Sequence, residues 1–296
     1  MENLKNYIFK NGSFIPKDQA FISIEDSGFM YGDGFFETLR VYNGVVFLLD
    51  KHLKRLFSSL DFFKYPFNDY SDLELIIKSS IKKLLCLNHL EHSDAYIKII
   101  ISRGKYKSKF NFSTAQEKNV IILAQKLNTY SEELYKNGIH LIFSSIKRPL
   151  SDNILYRHKM INYFENIYAK NEAILQKADE AIFLSEDDYI LEGAVSNIFL
   201  VKDNKIFTPS SNQNILLGIT REKVLSICAK NKIPVYEKNL KFSDFTEADE
   251  TFITNSIAEI LPVRSIELFK LQKDVPGPLT KDVMRLYKEE ISKATP

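Results

Sequence analysis

Only two cysteines occur in the 296 residues, Cys86 and Cys228, each in an apolar stretch and far apart in the chain. There is no CxxC, and the spacing of Cys86 and His89 lacks a second ligand pair. No metal site is expected, and both thiols read as buried and reduced. Excess charge of one sign is also missing: 40 Lys+Arg against 38 Asp+Glu leaves +2, which gives no reason to expect a nucleic-acid surface. No apolar run approaches the ~18 residues of a membrane span, and the opening MENLKNYIFKNG has no signal-peptide core. The chain therefore reads as cytoplasmic, with neither membrane nor nucleic acid as a partner. No period of 20 to 50 residues repeats, which argues against a solenoid. Glycine is scarce as well, ten in all, so a cluster of glycines carries information.

The length suits two domains at ~150 residues each. YIFKNGSFIP and ETLRVYNGVVFLL are β-branched and aromatic runs divided by Asn11-Gly12 and Asn43-Gly44, which predict type I′ hairpins. Asp50 is expected to cap a helix burying Leu53, Leu56, Phe57 and Leu60. Ser71-x-x-Glu74 reads as a capping box for a helix to about Leu87. YIKIIIS and NVIILAQKL follow as strands. These pieces make a small α+β domain over 1–127, with a polar linker at 128–136 and a larger domain over 137–296. The larger domain is expected to hold the strand IHLIFSSI, a helix from about His158 to Gln176 and a crowd of short strands. A helix opening near Thr220 and another from Thr280 to Lys293 complete it. Strands in runs with helices appended favour an α+β fold over a doubly wound sheet, and no GxGxxG precedes a helix.

Four clusters could carry chemistry. The stretch Asp26 to Thr38 gathers three glycines, three acids and four aromatics, which suits a tight loop pressed against something or a plain turn between strands. Leu216-Leu217-Gly218-Ile219-Thr220-Arg221 offers free amides at a helix start, fit for a phosphate; an ordinary N-cap is the alternative. Glu192 lies between two strands and could bond a protonated heterocyclic nitrogen or form a structural ion pair. Lys159, beside Arg157 and His158 at the expected helix start, could be an activated amine or one surface lysine among many. Together these are the parts for holding pyridoxal phosphate.

The order YGDGFFETLR, HLKRL, Lys-x-x-Asn-Tyr, LEGAVSNIFLV, FTP, LLGITR and ADETFITNSIAEILPV resembles the class IV aminotransferases, the fold-type IV pyridoxal phosphate enzymes, from about Tyr7 to Val263. The resemblance implies a D-amino acid aminotransferase-like α+β fold of two domains, with the cofactor at their interface in a homodimer. It implies that Lys159 is the Schiff-base lysine and that Glu192 bonds the pyridine nitrogen. Arg55, Ile219, Thr220 and Ser256 would hold the phosphate, and Tyr163, one helical turn after Lys159, would lie near the ring hydroxyl. Phe36, Arg103, Asn255 and Ile257 fall on the substrate side. Arg103, in Ser102-Arg103-Gly104, could bind a substrate carboxylate or point to solvent among Lys105, Lys107 and Lys109. The implied reaction is transfer of an amino group from an α-amino acid to a 2-oxo acid. The alternative is a 4-amino-4-deoxychorismate lyase, which Thr254-Asn255-Ser256-Ile257 resembles. A catalytically silent cofactor-binding module is a third class.

Overall fold

A computed structural model describes residues 6–67, 69–108, 110–271 and 274–295; Met1 to Lys5 and Lys109 lie outside the described residues. The chain divides into two compact units, residues 1–128 with 158–163 and 294–296, and residues 129–157 with 164–293.

In the first unit, β1 (Tyr7–Lys10), β2 (Ser13–Pro16), β3 (Gly34–Tyr42), β4 (Val45–Val46), β5 (Ala95–Ser102), a ribbon of β6 (Lys105–Tyr106) and β7 (Ala115–Gln116), and β8 (Asn119–Lys126) follow one another. Six of them form an antiparallel sheet in the order β2-β1-β8-β5-β3-β4. Both expected hairpins occur, with φ of 47° and 91° at Asn11-Gly12 and 46° and 82° at Asn43-Gly44. Three helices, α1 (Ser27–Tyr31), α2 (Leu49–Phe62) and α3 (Tyr70–Leu87), join the sheet. Leu53, Leu56 and Leu60 on α2 meet Leu39, Ile97, Ile99 and Ile122 of the strands in one core, with Phe57 half-buried at its edge. Truncating any of these leucines to Ala would cost about 2–5 kcal/mol.

Some local details differ from expectation. Asp50 does not cap α2; the cap position is Leu48 in the left-handed region, and Asp50 sits in the first turn, where its charge meets the positive helix end. Asp69, not Ser71, caps α3, because its carboxylate, two residues before the expected box, accepts the Ser71 amide at 2.7 Å. Cys228 is buried but Cys86 is exposed, since it follows the inward Leu84 and Leu85 and is turned toward solvent.

The second unit opens with α4 (Glu132–Asn137), which overlaps the stretch expected to be a linker; Glu132 and Glu133 favour its first turn. Then come β9 (Ile139–Arg148), α5 (Phe164–Leu175), β10 (Glu180–Ser185), β11 (Tyr189–Gly193), β12 (Asn197–Lys202) and β13 (Lys205–Pro209). They are followed by α6 (Ile219–Lys230), β14 (Val235–Lys238), β15 (Leu240–Lys241), α7 (Phe242–Thr246), β16 (Glu250–Asn255), β17 (Glu259–Ile266), β18 (Phe269–Lys270) and α8 (Pro278–Ala294). The strands form one mixed sheet ordered β14-β13-β12-β16-β17-β9-β10-β11-β15, with β18 beside β17. No helix among the described residues is long and apolar enough to cross a membrane.

The helix expected from His158 is shorter than foreseen, beginning at Phe164, and residues 158–163 run instead along the first unit's β3. Phe35 and Met160 form an antiparallel bridge there. The glycine cluster explains why the segment fits. A Cβ at Gly28 or Gly34 would lie 2.9 or 2.5 Å from the Ile161 side chain, and one at Gly32 would lie 2.7 Å from Asn162. What the glycine-rich stretch is pressed against is the segment that follows Lys159.

Candidate functional site

The candidate residues form two groups, one in each unit. In the first, Lys159 is fixed through its backbone: the Phe36 amide donates to the Lys159 carbonyl at 2.9 Å, and the Ile161 amide donates to the Gly34 carbonyl at 3.0 Å. His158 pairs with the Ser59 hydroxyl at 2.9 Å and lies among the rings of Phe35, Phe62 and Phe63. The Lys159 ammonium sits 4.5 Å from the Phe36 ring centroid and 5.3 Å from that of Tyr163, and these two rings meet edge to face. Lys159, Tyr163 and Phe36 are therefore brought together. The setting differs from expectation in one respect: Lys159 and Tyr163 lie in irregular chain between a 3-10 helix over Ile154–Arg157 and α5, so no helical turn separates the two.

On β3 side chains alternate, so Glu37 faces away from Phe36 and toward α2. Arg55 donates Nε and a terminal nitrogen to the two Glu37 oxygens, each at 2.7 Å, and His52 Nδ1 lies 2.7 Å from the same carboxylate. Burial pushes the Glu37 carboxyl up, but Arg55 and His52 outweigh it and hold it at about 2. The arginine expected on a phosphate thus has one edge committed to Glu37, a residue whose role no sequence signal announced.

Arg103 does not point to solvent among the neighbouring lysines. Its side chain is 1% exposed, with Nε on Asp33 at 2.9 Å and its terminal nitrogens on the carbonyls of Lys64 and Phe63 at 3.1 and 2.9 Å. Tyr65 and Phe112 stack on the guanidinium at 4.0 and 3.8 Å. Tyr65 and Tyr106 donate to the same Asp33 carboxylate, and both phenols are raised by burial and by that charge. The arginine expected on the substrate side thus forms a buried tie in this structure, a use that an arginine followed by glycine at a strand end also allows.

In the second unit Glu192 is the penultimate residue of β11 and is buried. One oxygen accepts from Arg148 at 2.5 Å; the other accepts from the Asn197 side-chain amide at 3.2 Å and the Leu216 amide at 3.0 Å. Arg148 also donates to Glu165 at 2.8 Å and to the Asn214 carbonyl at 2.9 Å, between the rings of Tyr156 and Phe183. Burial disfavours its charge, yet Glu192 and Glu165 outweigh this and raise the guanidinium. Nothing in the sequence flagged Arg148 or Asn197.

Ile219 and Thr220 open α6, but the cap is Gly218 with no side-chain bond, so Thr220 does not cap the helix. A Cβ at Gly218 would fall 2.1 Å from the Asn197 side-chain oxygen. Ser256 and Ile257 lie in the turn between β16 and β17. Asn255 closes that turn by accepting from the amides of Ile257 and Ala258 at 2.9 and 2.7 Å, so its carbonyl oxygen serves the fold. Thr254, paired with Asn197 across the sheet, keeps a buried hydroxyl with no hydrogen-bond partner. A helix start, an orphaned hydroxyl and a buried carboxylate within the second unit fit a phosphorylated heterocycle.

A family model described as amino-transferase class IV matches residues 34–266. The chain is 33% identical over 285 residues to a D-alanine aminotransferase of Bacillus licheniformis, covering 96% of this chain and 97% of that protein. It is 34% identical over 286 residues to an aminodeoxychorismate lyase of Bacillus subtilis, covering 96% and 94%. The crystal structure of the Escherichia coli branched-chain amino acid aminotransferase matches with a TM-score of 0.89 at 29% identity, over 99% of this chain and 96% of that one.

Proposed function

The chain belongs to the class IV aminotransferase family, and from that premise we propose that it uses pyridoxal 5′-phosphate to move the amino group of an α-amino acid to a 2-oxo acid. When bound, that cofactor supplies an aldehyde that takes up the amino group and a ring that accepts electrons from the substrate carbon. Lys159 is the amine that attaches to it and moves the proton; Glu192 holds the ring nitrogen. Ile219, Thr220, Ser256 and Arg55 receive the phosphate. Tyr163 and Phe36 wall the amine, and a second copy of the chain completes a homodimer.

The observation that carries the attachment at Lys159 is its backbone, hydrogen-bonded to β3 at 2.9 Å on one side and pinned through Ile161 at 3.0 Å on the other. An amine that must return to one position after each turnover needs such anchoring. Transamination is taken ahead of the lyase reaction because two types of aminotransferase, D-alanine and branched-chain, stand among the proteins the chain resembles.

The test is direct. After borohydride reduction of the loaded protein, peptide mapping should place the pyridoxyl label on Lys159, and a label elsewhere would overturn the assignment. The protein is then given L- and D-amino acids with 2-oxoglutarate or pyruvate, and separately aminodeoxychorismate. Amino-group transfer supports the proposal; release of 4-aminobenzoate with pyruvate replaces it with the lyase.

A further inference from the structure

Arg148 is shared by two carboxylates. Its Nε donates to Glu165 at 2.8 Å and a terminal nitrogen to Glu192 at 2.5 Å, with aromatic faces at 4.5 and 4.1 Å on its flanks. The guanidinium is 2% exposed and the Glu192 side chain 8%, whereas Glu165 is 27% exposed and belongs to the first turn of α5. Buried ions are stable only when their charges are matched. Arg148 with Glu192 alone is a neutral pair, and a proton-bearing ring nitrogen beside a neutral pair leaves one buried positive charge uncompensated. With Glu165 the three groups carry one net negative charge, and a protonated ring nitrogen brings the sum to zero.

We propose, building on the pyridoxal phosphate reading, that Glu165 is a positioning residue: by holding the Nε edge of Arg148 it leaves Glu192 the negative charge needed to bind a protonated heterocyclic nitrogen. It touches neither cofactor nor substrate. The bland role for Glu165 is favourable placement of a carboxylate at a helix N-terminus, which stabilises α5 whatever occupies the site. The two roles differ in one measurable way. A helix-stabilising charge affects all ligands of the folded protein alike, while a charge acting through Glu192 affects only ligands that carry a ring nitrogen.

The experiment compares affinities of the full chain for pyridoxal phosphate and for its deaza analogue, in which carbon replaces the ring nitrogen. It uses wild type, Glu165→Gln and Glu165→Asp, with equilibrium dialysis as the readout and thermal melts to establish folding. Glu165→Gln should weaken pyridoxal phosphate binding about tenfold while the analogue changes by less than about twofold. Glu165→Asp should recover most of the loss. If Glu165→Gln fails to fold, Glu165→Ser makes the same charge change with a residue suited to a helix start. Equal weakening of both ligands, or no weakening of either, overturns the inference while leaving the cofactor reading intact. A wild-type protein that binds both ligands equally well, or binds neither, overturns the ring-nitrogen role of Glu192 and the inference with it.

Discussion

Arg103 and Asp33 form an ion pair at 2.9 Å in which the arginine side chain is sealed from solvent and the aspartate also takes the hydroxyls of Tyr65 and Tyr106. The tie joins the end of β5 to the chain before β3, and through the carbonyls of Phe63 and Lys64 to the end of α2. In this structure its contacts serve the stability of the first unit.

Arg103→Ala should therefore lower unfolding stability by about 3 kcal/mol, since it removes the cation facing Asp33, the donor to the Phe63 and Lys64 carbonyls and the group between two aromatic faces. Arg103→Lys should recover only part of this, because an ammonium cannot stack or fork as a guanidinium does. Urea denaturation measures the loss. Michaelis constants of the surviving folded protein should stay close to wild type, and a large rise in the constant for the carboxylate substrate would return Arg103 to the site.

Much of the fold could be read from the sequence because it rests on local rules. The Asn-Gly pairs dictated their turns, and the spacing of Leu53, Leu56 and Leu60 dictated the inward face of α2. Lys159, Glu192 and Gly218 stand out in the sequence through their motifs. What stayed hidden depends on partners distant in the chain. Arg148 meets Glu192 across 44 positions, and Arg103 meets Asp33 across 70. The segment 158–163 reads locally as helix, but tertiary pairing with β3 over the small faces of Gly28, Gly32 and Gly34 overrides that preference.

The acid limb of stability should depend on Glu37. Its folded-state value of about 2 lies below the ordinary 4.5, so its contribution is fully present above the unfolded value and is lost as pH falls toward the folded one. His52 acts in the same direction: burial lowers it despite Glu37, so below 6.5 the unfolded chain takes up a proton that the folded one resists. Glu180, raised by burial, acts oppositely, its contribution fading as pH rises above 4.5. Glu37→Gln should cost about 3 kcal/mol at neutral pH and flatten the decline between pH 4.5 and about 2. Urea midpoints across that window test it; an unchanged slope would assign the limb to other carboxylates.

Gly218 links the helix start to Glu192 through Asn197. The backbone there has φ of −66°, which any residue adopts, so the constraint is steric: an added Cβ falls 2.1 Å from the Asn197 oxygen. Asn197 yields only by loosening its bonds to Glu192 and to the Leu216 carbonyl at 2.9 Å. Gly218→Ala should thus weaken pyridoxal phosphate binding about tenfold while costing only about 1–2 kcal/mol of stability. In an Asn197→Ala background the same substitution should have little further effect, because the side chain it displaces is gone. Equilibrium dialysis across the four proteins measures the coupling. Additive losses would separate Asn197 from the helix start, leaving Gly218 to act on the phosphate alone.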